Sequence, residues 1–227
     1  MMSDIQKCAF FLMLISCTSC GGQTTRDFSQ ERLASVTSDT VAVPGTAETC
    51  HTKFEYTYAS GKRVIIQNSF PRGEQYTDAQ GNRYAKTIFW TRIINETDNP
   101  LHVNINFSSD TYEFPNYVRS SQLAQHHIMI PPDTLMPGAE RLGNYDFHDA
   151  ETFSAERMHK PSSLKRTINP NQSTGFYVVR LLLVTPEVVP PRVKGGPKLH
   201  TRAGFTLEGQ NLLYTFNGKT IRCGTIE

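Results

Sequence analysis

The sequence predicts a mainly β protein: an immunoglobulin-like or Greek-key β-sandwich of about nine strands, with one long loop or short-helix insertion. Two patterns lead to this fold class. Short segments in which apolar residues alternate with polar ones recur along the chain, and turn residues separate them. Residues 175–185 are instead apolar almost throughout, which is typical of a central strand buried on both faces.

The chain between residues 50 and 86 predicts short strands joined by tight turns. The segment KFEYTYAS places its aromatic residues on one face, and KRVIIQNSF follows it after a Ser-Gly pair. Gly81 and Asn82 supply a hairpin turn within residues 78–86. We therefore expect the sandwich to begin near residue 50.

Residues 86–95 and 101–107 predict a hairpin. The polar turn ETDNP joins them and is of the length that hairpins use. Apolar residues alternate strictly in the second segment, so its other face should meet solvent or a partner. That face consists of His102, Asn104 and Asn106.

Residues 108–172 have little strand periodicity and predict a long insertion over the domain. Asp149–His159 is the one short helix expected there, and Pro161 ends it. Insertions of this length commonly carry function. After the central strand, three short strands complete the domain at residues 198–208, 211–216 and 219–223.

Composition bounds the class of protein. Hydrophobic residues make up 38% of the 227 residues and charged residues 19%, so the chain can build a core and is not a disordered protein. The formal net charge is +2 and the basic residues are scattered, which argues against a nucleic-acid partner.

The N-terminus predicts export and a lipid anchor. Lys7 precedes a short apolar run that is typical of a signal peptide covering residues 1–16. The run ends in LISC, which resembles the bacterial lipobox. The resemblance implies that Cys17 is diacylated and becomes the first mature residue, which places the protein on a membrane of the bacterial cell envelope. Thr18, rather than an aspartate, follows the cysteine and favours the outer membrane.

Two alternatives concern the second cysteine of this C-x-x-C pair. Cys20 could be the lipid attachment point, since Ser19 precedes it, but Cys17 stands where the lipobox has Leu or Val. The pair could also bind zinc or act in redox chemistry, although no second C-x-x-C or close histidine pair accompanies it. We assign residues 17–49 to a flexible tether and residues 50–227 to the β-sandwich domain.

Cys50 and Cys223 stand near the two ends of that domain. An oxidising compartment makes a disulfide between them plausible, and two unrelated thiols are the other interpretation.

The histidines do not form a recognised catalytic or metal motif. His126 and His127 are adjacent, so in a strand they point to opposite faces. No nucleophile elbow or phosphate-binding glycine loop is found. We therefore predict no catalytic residue, no metal site and no cofactor. The alternative is an extracytoplasmic hydrolase with its site in residues 108–172, which would need His126 or His127 to converge with His148 and Asp146.

Residues 92–114 and 168–182 resemble a family of small bacterial immunoglobulin-like domains that includes a Bacillus-type intracellular proteinase inhibitor. The similarity consists of a strand that ends in Asn, an acidic turn with Pro, an apolar strand, and a Pro-marked turn before a late strand. It implies the sandwich fold. For function we expect a lipid-anchored module that binds a protein or glycan partner; the further alternative is an accessory subunit of an outer-membrane assembly.

Overall fold

The computed structural model describes residues 33–39, 50–115, 123–135, 139, 150–185 and 203–227, with the backbone alone for residues 33–39 and 50–51. These residues form thirteen strands and one helix, which confirms a mainly β fold. In chain order the elements are β1 (Leu33–Asp39), β2 (Cys50–Tyr58), β3 (Arg63–Ser69), β4 (Arg72–Thr77), β5 (Arg83–Glu96), β6 (Leu101–Phe107), β7 (Tyr112–Pro115), β8 (Leu123–Met129), α1 (Ala150–Arg157), β9 (Ser162–Ile168), β10 (Ser173–Leu183), β11 (Ala203–Glu208), β12 (Asn211–Phe216) and β13 (Lys219–Ile226).

The strands form two antiparallel sheets that make a β-sandwich. The large sheet has eight strands, in the order β1-β2-β3-β5-β10-β8-β7, with β4 also paired to β5. β5 pairs with β4 over its first half and with β3 over its second half. At the point along β5 where the pairing changes from β4 to β3, the Trp90 N–H donates to Ser69 Oγ at 2.9 Å. The small sheet has five strands, in the order β11-β12-β13-β6-β9.

An aromatic core fills the space between the sheets. Phe205 of β11 is fully buried, and its ring centroid lies 5.5–6.4 Å from four other rings at tilted or edge-on angles. Such geometries are favourable because the ring edge is positive and the face negative. The four rings come from both sheets: Phe89, Phe107, Phe176 and Tyr214.

A second apolar cluster covers the outer face of the large sheet. It includes Trp90, Tyr177 and Leu181 of the sheet together with Met158, which follows α1, and Phe153 of the helix packs against it. Because both faces of the large sheet are covered, every residue of β10 from Gly175 to Leu182 is buried. The predicted central strand is confirmed.

Side chains close the two sides of the sandwich. Asn68 of β3 accepts the N–H of Phe205 at 2.9 Å and donates to its carbonyl at 3.1 Å, and Tyr56 Oη accepts the Leu207 N–H at 2.7 Å. On the other side, Ser162 Oγ accepts the N–H of Ile130 at 2.7 Å and donates to its carbonyl at 3.0 Å. Polar side chains thus pair backbone groups that would otherwise be buried without partners.

The predicted hairpin of residues 86–95 and 101–107 is wrong, because β5 lies in the large sheet and β6 in the small sheet. Asn95 explains the crossing. Its buried amide donates to the carbonyls of Asn99 and Ile168 at 2.8 and 2.9 Å and accepts the Thr97 N–H at 2.9 Å. One side chain therefore holds the β5–β6 connection against the end of β9.

Two further predictions need correction. Residues 108–172 contain β7, β8 and β9 rather than one loop or helical insertion, although the expected helix is confirmed as α1. Residues 33–39, assigned to the tether, form β1 and pair with β2. The strands were missed because their core-facing positions include polar residues, such as His126 in β8 and Ser162 in β9.

Candidate functional site

The two outer faces of the sandwich differ. An apolar cluster and α1 cover the outer face of the large sheet. The outward side chains of four strands of the small sheet, β6, β9, β12 and β13, are polar with one exception, and seven of the twelve are exposed. We call this set the open face. It comprises His102, Asn104, Asn106, Ser163, Lys165, Thr167, Asn211, Leu213, Thr215, Thr220, Arg222 and Thr225.

Alternation and a β-bulge place these side chains on one surface. His102 and Asn106 of β6 are exposed, as the sequence predicted, while Val103 and Ile105 point into the core. In β13 the pairing moves from Leu213↔Arg222 to Leu212↔Gly224, so Cys223 is the extra residue of a bulge. The bulge lets both Arg222 and Thr225 face outward, although they are three positions apart.

Hydrogen bonds between neighbours order part of the open face. His102 Nδ1 and Thr167 Oγ1 lie 3.1 Å apart across β6 and β9. Asn106 donates to Asn104 at 3.1 Å along β6. These pairs fix amide, imidazole and hydroxyl groups in place before any ligand arrives, which lowers the entropic cost of binding.

The charge on the open face is positive. Its ionised side chains are Lys165 and Arg222, both exposed. Lys165 lies opposite Asn104, which lies opposite Thr225. Strand spacings place the Cα atoms of Lys165 and Arg222 about 14 Å apart.

Acidic residues stand at the margins of this surface. Asp110 follows β6, Glu208 ends the edge strand β11, and Glu227 follows β13. The open face can therefore offer hydrogen bonds over its whole area and two separated cations to a ligand.

Of the residues proposed for the hydrolase alternative, the structure describes His126 and His127, which lie on opposite faces of the large sheet. His126 faces the core, with its ring centroid 5.5 Å from that of Phe114 and 5.3 Å from that of Phe216. His127 faces the other side of the large sheet and contacts His159. The prediction that the adjacent pair divides between two faces is confirmed. His148 and Asp146 lie outside the described residues, so the remainder of that alternative stays a prediction.

A polar group inside the sandwich was not foreseen from the sequence. Arg180 of β10 is 2% exposed, its Cζ lies 3.6 Å from the ring centroid of Phe216, and it donates to Thr87 Oγ1 at 3.0 Å. Burial lowers the pKa of the neighbouring His126 to about 2, and the Arg180 charge acts in the same direction. Burial also raises the pKa of the Tyr214 phenol to about 12. Both rings are neutral in the folded protein at neutral pH, which makes them structural rather than acid–base groups.

The cysteine predictions are only partly covered by the structure. Cys223 is a free, buried thiol whose Sγ donates to the Leu212 carbonyl at 3.4 Å, and burial raises its pKa to about 12. The side chain of Cys50 lies outside the described residues, and so do Cys17 and Cys20. The bridge between Cys50 and Cys223 is not seen and stays a prediction, as does the lipid attachment.

Within the described ranges, His, Cys, Asp and Glu side chains do not gather in groups of three or more that could hold a metal ion. In the same part of the chain, no helix has the length and apolar character needed to cross a membrane.

Comparison with known proteins gave no relative. No protein-family model, no curated protein and no solved structure matches this chain. The resemblances to the lipobox and to the proteinase-inhibitor domain therefore stay expectations.

Proposed function

We propose that this chain is an extracytoplasmic binding module of the bacterial cell envelope, anchored through a lipid on Cys17 at the outer membrane, and that its ligand lies on the open face. The observation that carries the proposal is the contrast between the two outer faces. The large sheet is covered by an apolar layer, while the small sheet presents an ordered polar surface to solvent.

The chemistry of the open face favours a glycan over a protein. Four strands at about 4.8 Å spacing and about seven residues long give roughly 450 Å², which is below the ~800 Å² that a typical protein partner covers. Protein interfaces also depend on buried aromatic or aliphatic anchors. The only apolar side chain of the set is Leu213, which is half-buried.

The two positively charged side chains favour an acidic glycan over a neutral one. A polymer of uronic acids has hydroxyl groups that match the amides and hydroxyls of the open face, and carboxylates that match Lys165 and Arg222. Repeated sugars also allow one chain to reach both cations, about 14 Å apart. We expect a modest affinity that weakens as salt is added, because the pairs are exposed.

Binding to polygalacturonate tests this assignment, with neutral dextran as the comparison polymer. The Lys165→Glu/Arg222→Glu chain should bind at least ~10-fold more weakly than the parent, since two attractive contacts become repulsive. The matched control is Arg157→Glu/Lys160→Glu, which makes the same charge change at exposed positions at the end of α1, beside the covered face. The control should bind like the parent.

Different outcomes would refute the open face as the site and the acidic glycan as the ligand. An equal loss in both double variants would mean that only net charge matters and would refute the open face as the site. Failure of the parent to bind polygalacturonate, or equal binding to dextran, would refute the acidic glycan.

The anchor is tested separately. Cys17→Ala should release the protein from membranes or leave its precursor uncleaved, whereas Cys20→Ala should remain membrane-bound with a mature mass that includes the lipid. Globomycin, which inhibits the lipoprotein signal peptidase, should make the parent behave like Cys17→Ala. Unchanged fractionation and mass in Cys17→Ala would refute the anchor without touching the glycan site.

A further inference from the structure

Two histidines meet on the outer side of the large sheet, away from the open face. His127 belongs to β8, and His159 follows α1 by two residues. Their ring centroids lie 5.3 Å apart and the ring planes are nearly perpendicular, at 87°. The two rings come from elements that are more than twenty residues apart in sequence and are brought together by the packing of α1 on the sheet.

The orientation of His127 is fixed by its surroundings. The backbone of Met158 hydrogen-bonds the ring, while Nδ1 is buried and has no hydrogen-bond partner. An imidazole held by a backbone group through one nitrogen, with the other nitrogen unpartnered, is the usual arrangement of a metal-ligating histidine.

The separation of the rings fits one shared ion. Imidazole nitrogens lie about 2.0–2.1 Å from Zn²⁺, so two rings on one tetrahedral ion have centroids about 5 Å apart. We propose that His127 and His159 together bind one divalent transition-metal ion, which joins the end of α1 to β8. His159 is exposed, so solvent can reach the site and water can complete the coordination. Among first-row ions the order of affinity predicts the tightest binding for Cu²⁺.

Calorimetric titration of the full chain with Zn²⁺ tests the proposal, with accessible thiols first alkylated by iodoacetamide so that they cannot compete. We expect one ion per chain, and at least ~10-fold weaker binding in His159→Ala. His102→Ala is the matched control, because it removes an exposed histidine from the open face. It should bind Zn²⁺ like the parent.

Two additional measurements identify the histidine ligands of the ion and test whether the ion stabilises the contact between α1 and β8. Electron paramagnetic resonance of the Cu²⁺-loaded chain should show two imidazole nitrogens in the parent and one in His159→Ala. Zn²⁺ should raise the melting temperature of the parent and not that of His159→Ala. Since His159 is exposed, its replacement should leave the fold intact, which circular dichroism without metal checks.

Three results would overturn the proposal. The first is unchanged Zn²⁺ affinity in His159→Ala with its native circular dichroism retained. The second is absence of Zn²⁺ binding in the parent. The third is an equal loss in His102→Ala, which would place the ion elsewhere.

Discussion

Asn68 offers the sharpest test of how the sandwich is held together. Its side chain is fully buried and makes four hydrogen bonds, to Thr52, to Thr91 and to both backbone groups of Phe205, at 2.8–3.1 Å. Asn68→Ala leaves the Phe205 N–H and carbonyl buried without these partners. Each such group costs about 1–3 kcal/mol, so we expect a loss of about 3–5 kcal/mol. That is a large share of the ~5–15 kcal/mol by which domains are stable.

Urea unfolding followed by circular dichroism measures this loss. The control is Asn106→Ala, an exposed asparagine whose one side-chain bond is to Asn104, and it should change the free energy of unfolding by no more than about 0.5 kcal/mol. A cost below about 1 kcal/mol for Asn68→Ala would refute the reasoning, because it would show that Phe205 finds other partners or water.

A double-mutant cycle with Gly204 separates packing from hydrogen bonding. A Cβ on Gly204 would lie 2.7 Å from Cγ and Nδ2 of Asn68, so Gly204→Ala alone should be destabilising. In the Asn68→Ala chain those two atoms are gone and the same change should cost less. We expect a coupling of about 0.5–3 kcal/mol, and strict additivity would contradict the close contact between β3 and β11.

Two titratable groups give further predictions. The pKa of His126 is about 2 in the folded protein and about 6.5 in the unfolded chain. Between these values only the unfolded chain binds a proton at His126, so the free energy of unfolding falls as the pH drops below about 6.5. Between pH 7 and 5, His126→Phe should therefore lose about 2 kcal/mol less than the parent, measured by urea unfolding, whereas an equal loss would contradict a neutral His126. Cys223 has a pKa of about 12, so in the folded protein its thiol should not react with iodoacetamide at pH 8, whereas in the unfolded protein it should. Failure to react even when unfolded without reductant would indicate the bridge to Cys50.

The sequence predicted the parts of the fold in which local pattern and tertiary environment agree. β10 is apolar throughout and is buried on both faces, and β6 alternates because the small sheet is covered on one face only. α1 was recognisable from the residues that precede and end it. In each of these elements, the order of residue types along the chain is enough to indicate which positions are buried and which are exposed.

The rest depends on contacts that no local pattern encodes. A polar turn such as ETDNP can close a hairpin or cross between sheets, and the amide of Asn95 decides for the crossing by bonding the carbonyl of Ile168, which is 73 residues away in sequence. β8 was not predicted as a strand because His126 stands at a core-facing position, where the alternation of a strand calls for an apolar residue. A quarter of the open face, the three residues of β6, was foreseeable from the sequence, whereas the contribution of β9 and the bulge of β13 required the pairing to be known.

The closure of the small sheet by Asn68 and Tyr56 has a consequence for copies of this protein that stand side by side. An edge strand with unpaired N–H groups invites a neighbouring chain to add to the sheet, which is a common start of aggregation. In β11 the N–H groups of Phe205 and Leu207 are already bonded within the same chain. A neighbouring copy therefore finds no free N–H group at these two positions as a template for edge-to-edge growth.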